Sequence, residues 1–320
     1  MKKIKLYSLF LFCAISCFCK AQDAQTVSMD SLQKLQDKME YEAIISIEED
    51  QLSNTSKKLK GKMFKIYADA YENVNRADKA LDYLKKAKDH YEGINKKKEV
   101  VKINANIYAL LDSQNNLNID KMPYLTEVKN YAEKNNSKKW MMVYYNQKGV
   151  ANFKANSSDS AKAYFIKAKQ LANDIDSLRA VYKMNINLGA LYNGDYDKQD
   201  SAIVYYKEAL QLYRLDKDKG KKLNQLFALY NNIGNAYREL KKYDSALHYY
   251  QKAEKIDLKQ YDRKSKRILY SNMDANFYYM KDWKNAYNYL YKYDSINNLI
   301  NLKEQNANIS EIEEKYDNEK

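Results

Sequence analysis

Side chains able to do covalent or metal chemistry are sparse in this chain, and none of them forms a working set. His90 and His248 are the only histidines. They fall in separate repeats, and a metal site would need further ligands beside one of them. Cys13, Cys17 and Cys19 all stand in the first twenty residues. The remainder therefore offers no thiolate nucleophile, disulfide or cysteine-ligated metal. Asp195, Asp197 and Asp200 are spaced faintly like a calcium loop, but the central glycine and the distal bidentate glutamate are missing. The seven glycines make no phosphate-cradling loop, and neither a nucleophile elbow nor His-Glu-x-x-His occurs. Paired acids such as Glu48-Glu49-Asp50 and Glu313-Glu314 lie in polar stretches with no apolar setting to perturb their ionisation. No catalytic residue, metal or cofactor is expected, and the chain reads as a binder rather than an enzyme.

What remains is recognition chemistry. Asn146, Lys183, Asn187, Asn231, Asn235, Arg238 and Tyr278 fall on the first of two helices in successive repeats. Asparagine amides can pair with an extended peptide backbone, and Lys183 and Arg238 can hold a carboxylate. These residues are the expected contacts for a protein or peptide partner.

The elements that position them are legible as a repeat. Ala80-Leu84-Ala87, Ala161-Phe165-Ala168, Ala202-Tyr206-Ala209, Ala246-Tyr250-Ala253 and Ala286-Leu290-Tyr293 share one spacing, and a tyrosine precedes each large residue. Intervals of four and three put each triplet on one helical face. Twelve or thirteen residues upstream stand Ala68, Gly149, Gly189, Gly234 and Asp274. Glycine inside a helix costs about 1 kcal/mol relative to alanine, so three at matching places indicate a packing need. The expected contact is Gly234 against Ala246, with Tyr237 and Tyr250 beside it. Short polar turns join the helices, and Asp159, Asp200 and Asp244 fit N-cap or first-turn acids.

On these residues the chain resembles the tetratricopeptide repeat family, most clearly at Leu188, Gly189, Tyr192, Ala202, Tyr206 and Ala209, and at Tyr230, Gly234, Tyr237, Ala246, Tyr250 and Ala253. The resemblance spans roughly residues 30–295 and departs at Asp274, at Tyr293 and in lacking the usual proline after the second helix. It implies an all-α, right-handed superhelix of about six to seven hairpins with a C-terminal helical extension. In such a stack the first helices line a concave groove suited to a peptide or partner helix.

Charge and the two ends complete the expectations. The formal charge is +13, and removing Lys2, Lys3, Lys5 and Lys20 leaves about +9. Lysines are spread through every repeat and arginines number six, unlike the concentrated stripe of a nucleic-acid reader. Solvated outer faces, or an acidic partner or anionic surface, account for them. Residues 1–21 read as a secretory signal, with a basic start, an apolar run and Cys19-Lys20-Ala21 before the cut. The second reading is a lipoprotein signal with a lipid anchor at Cys17. Export to the periplasm or cell surface follows from either. The solenoid is expected over 22–295 and a helical or coiled-coil tail over 296–320. There Leu302, Ile309 and Tyr316 recur every seven residues with Ile312 between, a seam open to self-association. The layout also resembles the exported sensor region of Bacteroidetes-type regulators, whose membrane helix and kinase or DNA-binding domain would lie beyond Lys320.

Overall fold

The computed structural model describes residues 28–47, 57–114, 119–194, 198–216, 223–257 and 263–318. The expected export signal over residues 1–21 with Cys17, the acids Glu48–Asp50, and Asp195–Asp197 of the calcium-like loop lie outside the described residues. Fourteen helices and no strand occur among those described. They are α1 (Met29–Asp37), α2 (Tyr41–Ile45), α3 (Lys57–Asn73), α4 (Ala77–Gly93), α5 (Lys97–Ser113), α6 (Met122–Lys134), α7 (Lys138–Lys154), α8 (Ser158–Asp174), α9 (Leu178–Asn193), α10 (Gln199–Leu215), α11 (Leu223–Glu239), α12 (Tyr243–Glu254), α13 (Arg263–Tyr279) and α14 (Trp283–Asn318). The chain divides into two compact units, residues 1–124 and 125–320. In the first, α1 to α5 enclose one core around Tyr67, Leu84, Ala87, Ile103 and Ile107. In the second, hairpins α7/α8, α9/α10, α11/α12 and α13/α14 follow one another, each packed on the next.

The hairpin turn is one device used four times. Asn75, Asn156, Lys241 and Lys281 each adopt a positive φ, between 55° and 64°. That left-handed residue reverses the chain just past the helix end. The following amide then bonds back across the end: Arg76 N–H to Tyr71 O, Ser157 to Asn152, Lys242 to Tyr237 and Asp282 to Phe277, at 2.9–3.0 Å. Four residues on, the first alanine of each triplet closes the next helix: Ala80 donates to Arg76 O, Ala161 to Ser157, Ala246 to Lys242 and Ala286 to Asp282. Asp159, Asp200 and Asp244 fall inside the first helical turn rather than at the cap, where a carboxylate favours the helix dipole.

The glycines meet a different partner from the one expected. A methyl group on Gly234 would overlap the ring of Tyr250, its nearest neighbour, ahead of Ala246. Gly189 stands in the same relation to Tyr206, and Gly149 to Phe165. In these three hairpins the ring of the triplet's large residue lies against the glycine of the facing helix. The alanines face onward instead: Ala246, Tyr250 and Ala253 share a core with Leu269, Met273 and Phe277 of the next hairpin.

The tyrosine before each large residue also has a constant setting. Tyr83, Tyr205, Tyr249 and Tyr289 stack on Tyr71, Tyr192, Tyr237 and Phe277 at centroid separations of 5.4–5.5 Å and interplanar angles of 16–17°. A second first-helix ring meets Tyr83, Tyr164, Tyr249 and Tyr289 at a tilt: Phe64, Tyr145, Tyr230 and Tyr270, at 5.8–6.2 Å. Three residues after those same tyrosines Lys86, Lys167, Lys252 and Lys292 lay their ammonium groups over the ring, Lys292 at 4.1 Å. Half-exposed cation–π contacts of this kind contribute about 0.5–1 kcal/mol each. Many of the chain's lysines are therefore roofs on tyrosine rings.

Asp274 holds the glycine position in the last hairpin. Burial, and secondarily Asp294 on α14, raises its carboxyl pKa above 3.8. The ionised form is thus disfavoured in the folded state. That penalty is absent in acid and grows as pH rises through the shifted value.

Two outcomes test this packing. Gly234→Ala should lose about 1–3 kcal/mol in urea unfolding because a rigid, buried ring must move, while Gly93→Ala, with open space around it, should gain about 0.5–1 kcal/mol. Asp274→Asn should melt higher than the parent at neutral pH, with the difference closing as pH falls below the carboxyl's titration.

Candidate functional site

The seven side chains singled out in sequence lie on α7, α9, α11 and α13, all in the second unit. Asn146 stands three residues before Gly149, and Asn231 three before Gly234. Asn187 stands two before Gly189, and Asn272 two before Asp274. Stacking sets the first kind of position against the second kind in the following hairpin. Asn187 Nδ2 donates to Asn146 Oδ1 at 2.7 Å, and Asn272 Nδ2 to Asn231 Oδ1 at 3.0 Å, each pair 41 residues apart. Between them the same places hold Ile186 and Asn232, and the aliphatic side chain can make no such bond.

These bonds extend into a short network. Arg238 Nη1 donates to Asn272 Oδ1 at 3.2 Å and Nη2 to Glu239 Oε1 at 3.1 Å. Asn235 Oδ1 accepts from the Tyr250 hydroxyl at 2.7 Å, which ties the polar face to the ring seated on Gly234. Asn146 and Asn231 are buried, so they hold their partners in place rather than reach outward. Asn272 completes the network and was missed in the sequence reading. Its signal was the place it shares with Asn187, two residues before the small position.

Lys183 and Tyr278 are exposed. The Lys183 ammonium is nevertheless shifted below its ordinary pKa, by desolvation first and the Arg179 guanidinium second. Its neighbour Tyr182 is pushed up to about 12 by burial. Tyr278 sits edge-on to Trp283 at 5.3 Å and to Tyr279 at 5.8 Å. The face thus offers a guanidinium and an ammonium held among amides, a donor-rich strip suited to carbonyl and carboxylate oxygens. Among the described residues no group of three or more His, Cys, Asp or Glu is placed to hold a metal ion, and no helix is long and apolar enough to cross a membrane.

A model of the tetratricopeptide repeat matches residues 227–259, which begin on α11 and run through α12. These residues form a tetratricopeptide repeat. No curated protein matches the chain in sequence. Among solved structures it is similar to a Rap protein complexed with competence and sporulation factor, with a TM-score of 0.60 and 13% identity over 88% of this chain and 79% of that one. BtubC from P. vanneervenii gives a TM-score of 0.48 and 16% identity over 71% of this chain and 91% of that one. A signal-transduction ATPase with a tetratricopeptide repeat sensor from Pyrococcus horikoshii gives 0.48 and 18%, over 79% and 33%. At these identities the Rap likeness is one of fold: repeated helical hairpins stacked in order.

The depressed Lys183 pKa carries a sign. At neutral pH the charged form is disfavoured by folding, and that penalty lifts as pH rises through the lowered value toward 10.5. Lys183→Met should therefore be more stable than the parent at pH 7 in urea titrations, with the advantage shrinking in alkali.

Proposed function

We propose that this tetratricopeptide-repeat protein is a non-enzymatic scaffold outside the cytoplasm that holds an acceptor-rich segment of a protein or peptide along α9, α11 and α13. The observation that carries the reading is the bonded chain Asn231–Asn272–Arg238, which fixes a guanidinium across two hairpins before any ligand arrives. Prepositioned donors avoid part of the ordering cost of binding. Lys183, exposed and partly desolvated, adds a second cation whose attraction for a carboxylate is strengthened by that setting. The Rap protein's complex with its factor is consistent with such a use of the fold. The basic start and apolar run of residues 1–21 support export, by cleavage after Ala21 or by lipidation at Cys17.

A second reading, the ligand-sensing portion of a two-component or transcription-regulator-type protein, is favoured by one feature. Helix α14 leaves the last hairpin and continues to Asn318 without a break, so a shift of the hairpin is carried along a rigid rod.

The test is a displayed random-peptide library selected on the purified chain. Selected peptides should be enriched in Asp, Glu or a free C-terminal carboxylate. Lys183→Glu with Arg238→Ala should weaken them at least tenfold, since each charged hydrogen bond contributes about 1.5–3 kcal/mol, while Lys97→Glu on α5 leaves binding unchanged. Equal binding by all three proteins would remove the groove assignment. Recovery of the expressed full chain in the cytoplasmic fraction, unprocessed, would remove the export assignment.

A further inference from the structure

We infer that the second unit bends at one joint, between hairpins α9/α10 and α11/α12, and that the two hairpins on either side of it move as a locked pair. In a stack of this kind each hairpin contacts only its neighbours, so what is missing at one seam is not made up elsewhere. Three seams join the four hairpins. Each outer seam is tied by directional polar bonds at two repeat places, one on the first helices and one on the second. The middle seam has an aliphatic side chain at both.

The first tie joins first helices. Asn187 donates to Asn146 at 2.7 Å between α7/α8 and α9/α10, and Asn272 to Asn231 at 3.0 Å between α11/α12 and α13/α14. At the middle seam those places hold Ile186 and Asn232, and Ile186 packs against the core around Leu229 and Ile233. The second tie joins second helices, from the residue after the third place of one triplet to the residue before it in the next. Lys169 donates to Glu208 at 3.1 Å, and Lys292 to Glu254 at 3.1 Å. At the middle seam those places hold Leu210 and Lys252. Leu210 is buried in the same core as Leu229 and Ile233. Lys252 turns instead to its own hairpin, over Tyr249 at 5.2 Å and Tyr230 at 5.9 Å.

The described polar contacts that do cross the middle seam constrain it less. The Tyr182 hydroxyl reaches Gln225 O at 3.4 Å, the long end of a hydrogen bond. Lys242 and Asp200 stand 3.9 Å apart with both side chains more than half exposed, and pairs so exposed hold little. Lys207 lies over the Tyr237 ring at 5.8 Å, but Lys162 lies over Tyr192 at 5.4 Å across the first seam, so this contact does not set the two apart. The last seam gains further ties: Arg238 to Asn272, the Tyr289 hydroxyl to Glu254 at 2.9 Å, and Asn276 Nδ2 to Tyr243 O at 3.2 Å.

A hydrogen bond fixes register because it weakens steeply with distance and angle. Apolar contact is non-directional and follows the area covered. A small slide or tilt that keeps Ile186 and Leu210 covered therefore costs little, whereas the same movement at an outer seam breaks an amide pair and an ion pair together. Sliding of packed helices is an established form of domain motion. The joint also divides the polar face. Lys183 lies on α9 and Arg238 on α11, so bending changes the spacing of the two cations while the Asn146–Asn187 pair and the Asn231–Asn272–Arg238 chain stay whole.

The experiment uses the full chain with Cys13→Ser, Cys17→Ser and Cys19→Ser, which leaves no other cysteine. Ala163, Val204, His248 and Asn288 are exposed and hold one repeat place on α8, α10, α12 and α14. Changed to Cys in adjacent pairs and spin-labelled, they report one seam each by dipolar electron paramagnetic resonance. Val204→Cys/His248→Cys should give a distance distribution roughly twice as wide as Ala163→Cys/Val204→Cys or His248→Cys/Asn288→Cys, since each seam is held only by its own contacts. Equal widths, or a wider outer seam, overturn the inference. The ties are then exchanged. Ile186→Asn with Leu210→Glu should narrow the middle distribution, and Asn146→Ile with Lys169→Leu should widen the first. Widths that stay with the seam instead of following these residues also overturn it. If an exchanged chain loses its helical circular dichroism, the comparison of the three seams decides alone. No peptide takes part in the readout, so its outcome is distinct from that of the groove assignment.

Discussion

An aromatic ring lying flat against a glycine Cα sets the spacing between the two helices of each central hairpin. Phe165 on Gly149, Tyr206 on Gly189 and Tyr250 on Gly234 are three instances of one contact. The ring is fully or nearly fully buried, so it yields little, and the facing residue must have no side chain. In the Gly234 hairpin other features stand at fixed offsets. The tyrosine just before the ring, Tyr249, stacks on Tyr237, Lys252 three residues later roofs it, and the turn closes through the left-handed Lys241. The glycine's unfavourable helix propensity is offset by the apolar surface its absence of a side chain lets the ring bury.

The alanines answer a different need. In the triplet they lie on the side that meets the following hairpin, where Ala246 and Ala253 have no exposed surface. The alanines and the ring share one face of the second helix, and that face also meets the following hairpin. Stacking is thereby directional, and each unit leaves a face to be covered by its successor. The last hairpin keeps Ala286 but departs from the central hairpins at three places: Asp274 for glycine, Leu290 for a ring, Tyr293 for alanine. Those departures coincide with the place where no described hairpin follows.

The polar face depends on the same geometry. Asn146 and Asn187, like Asn231 and Asn272, come from different hairpins and meet only because stacking brings a residue three before the small position against one two before it. Their amides satisfy each other where burial would otherwise leave them unpaired. The bonded chain that ends on Arg238 is rigid for the same reason that the core is, and Tyr250 takes part in both: its ring rests on Gly234 and its hydroxyl bonds Asn235. Recognition chemistry and packing are joined at one side chain.

The sequence by itself determined the helical period, the hairpin repeat, the small positions and the side of the repeat that carries amides, because each is a local spacing along one chain. Only the tertiary structure decided what each small residue touches. Gly234 lies at the right offset for both Ala246 and Tyr250, and spacing alone cannot rank two neighbours on one facing helix. The structure likewise decided that Asn146 and Asn231 are buried and that each accepts a bond from the next hairpin, from Asn187 and Asn272. Burial and cross-hairpin bonds depend on atoms about forty residues away, and no local pattern records how those atoms meet.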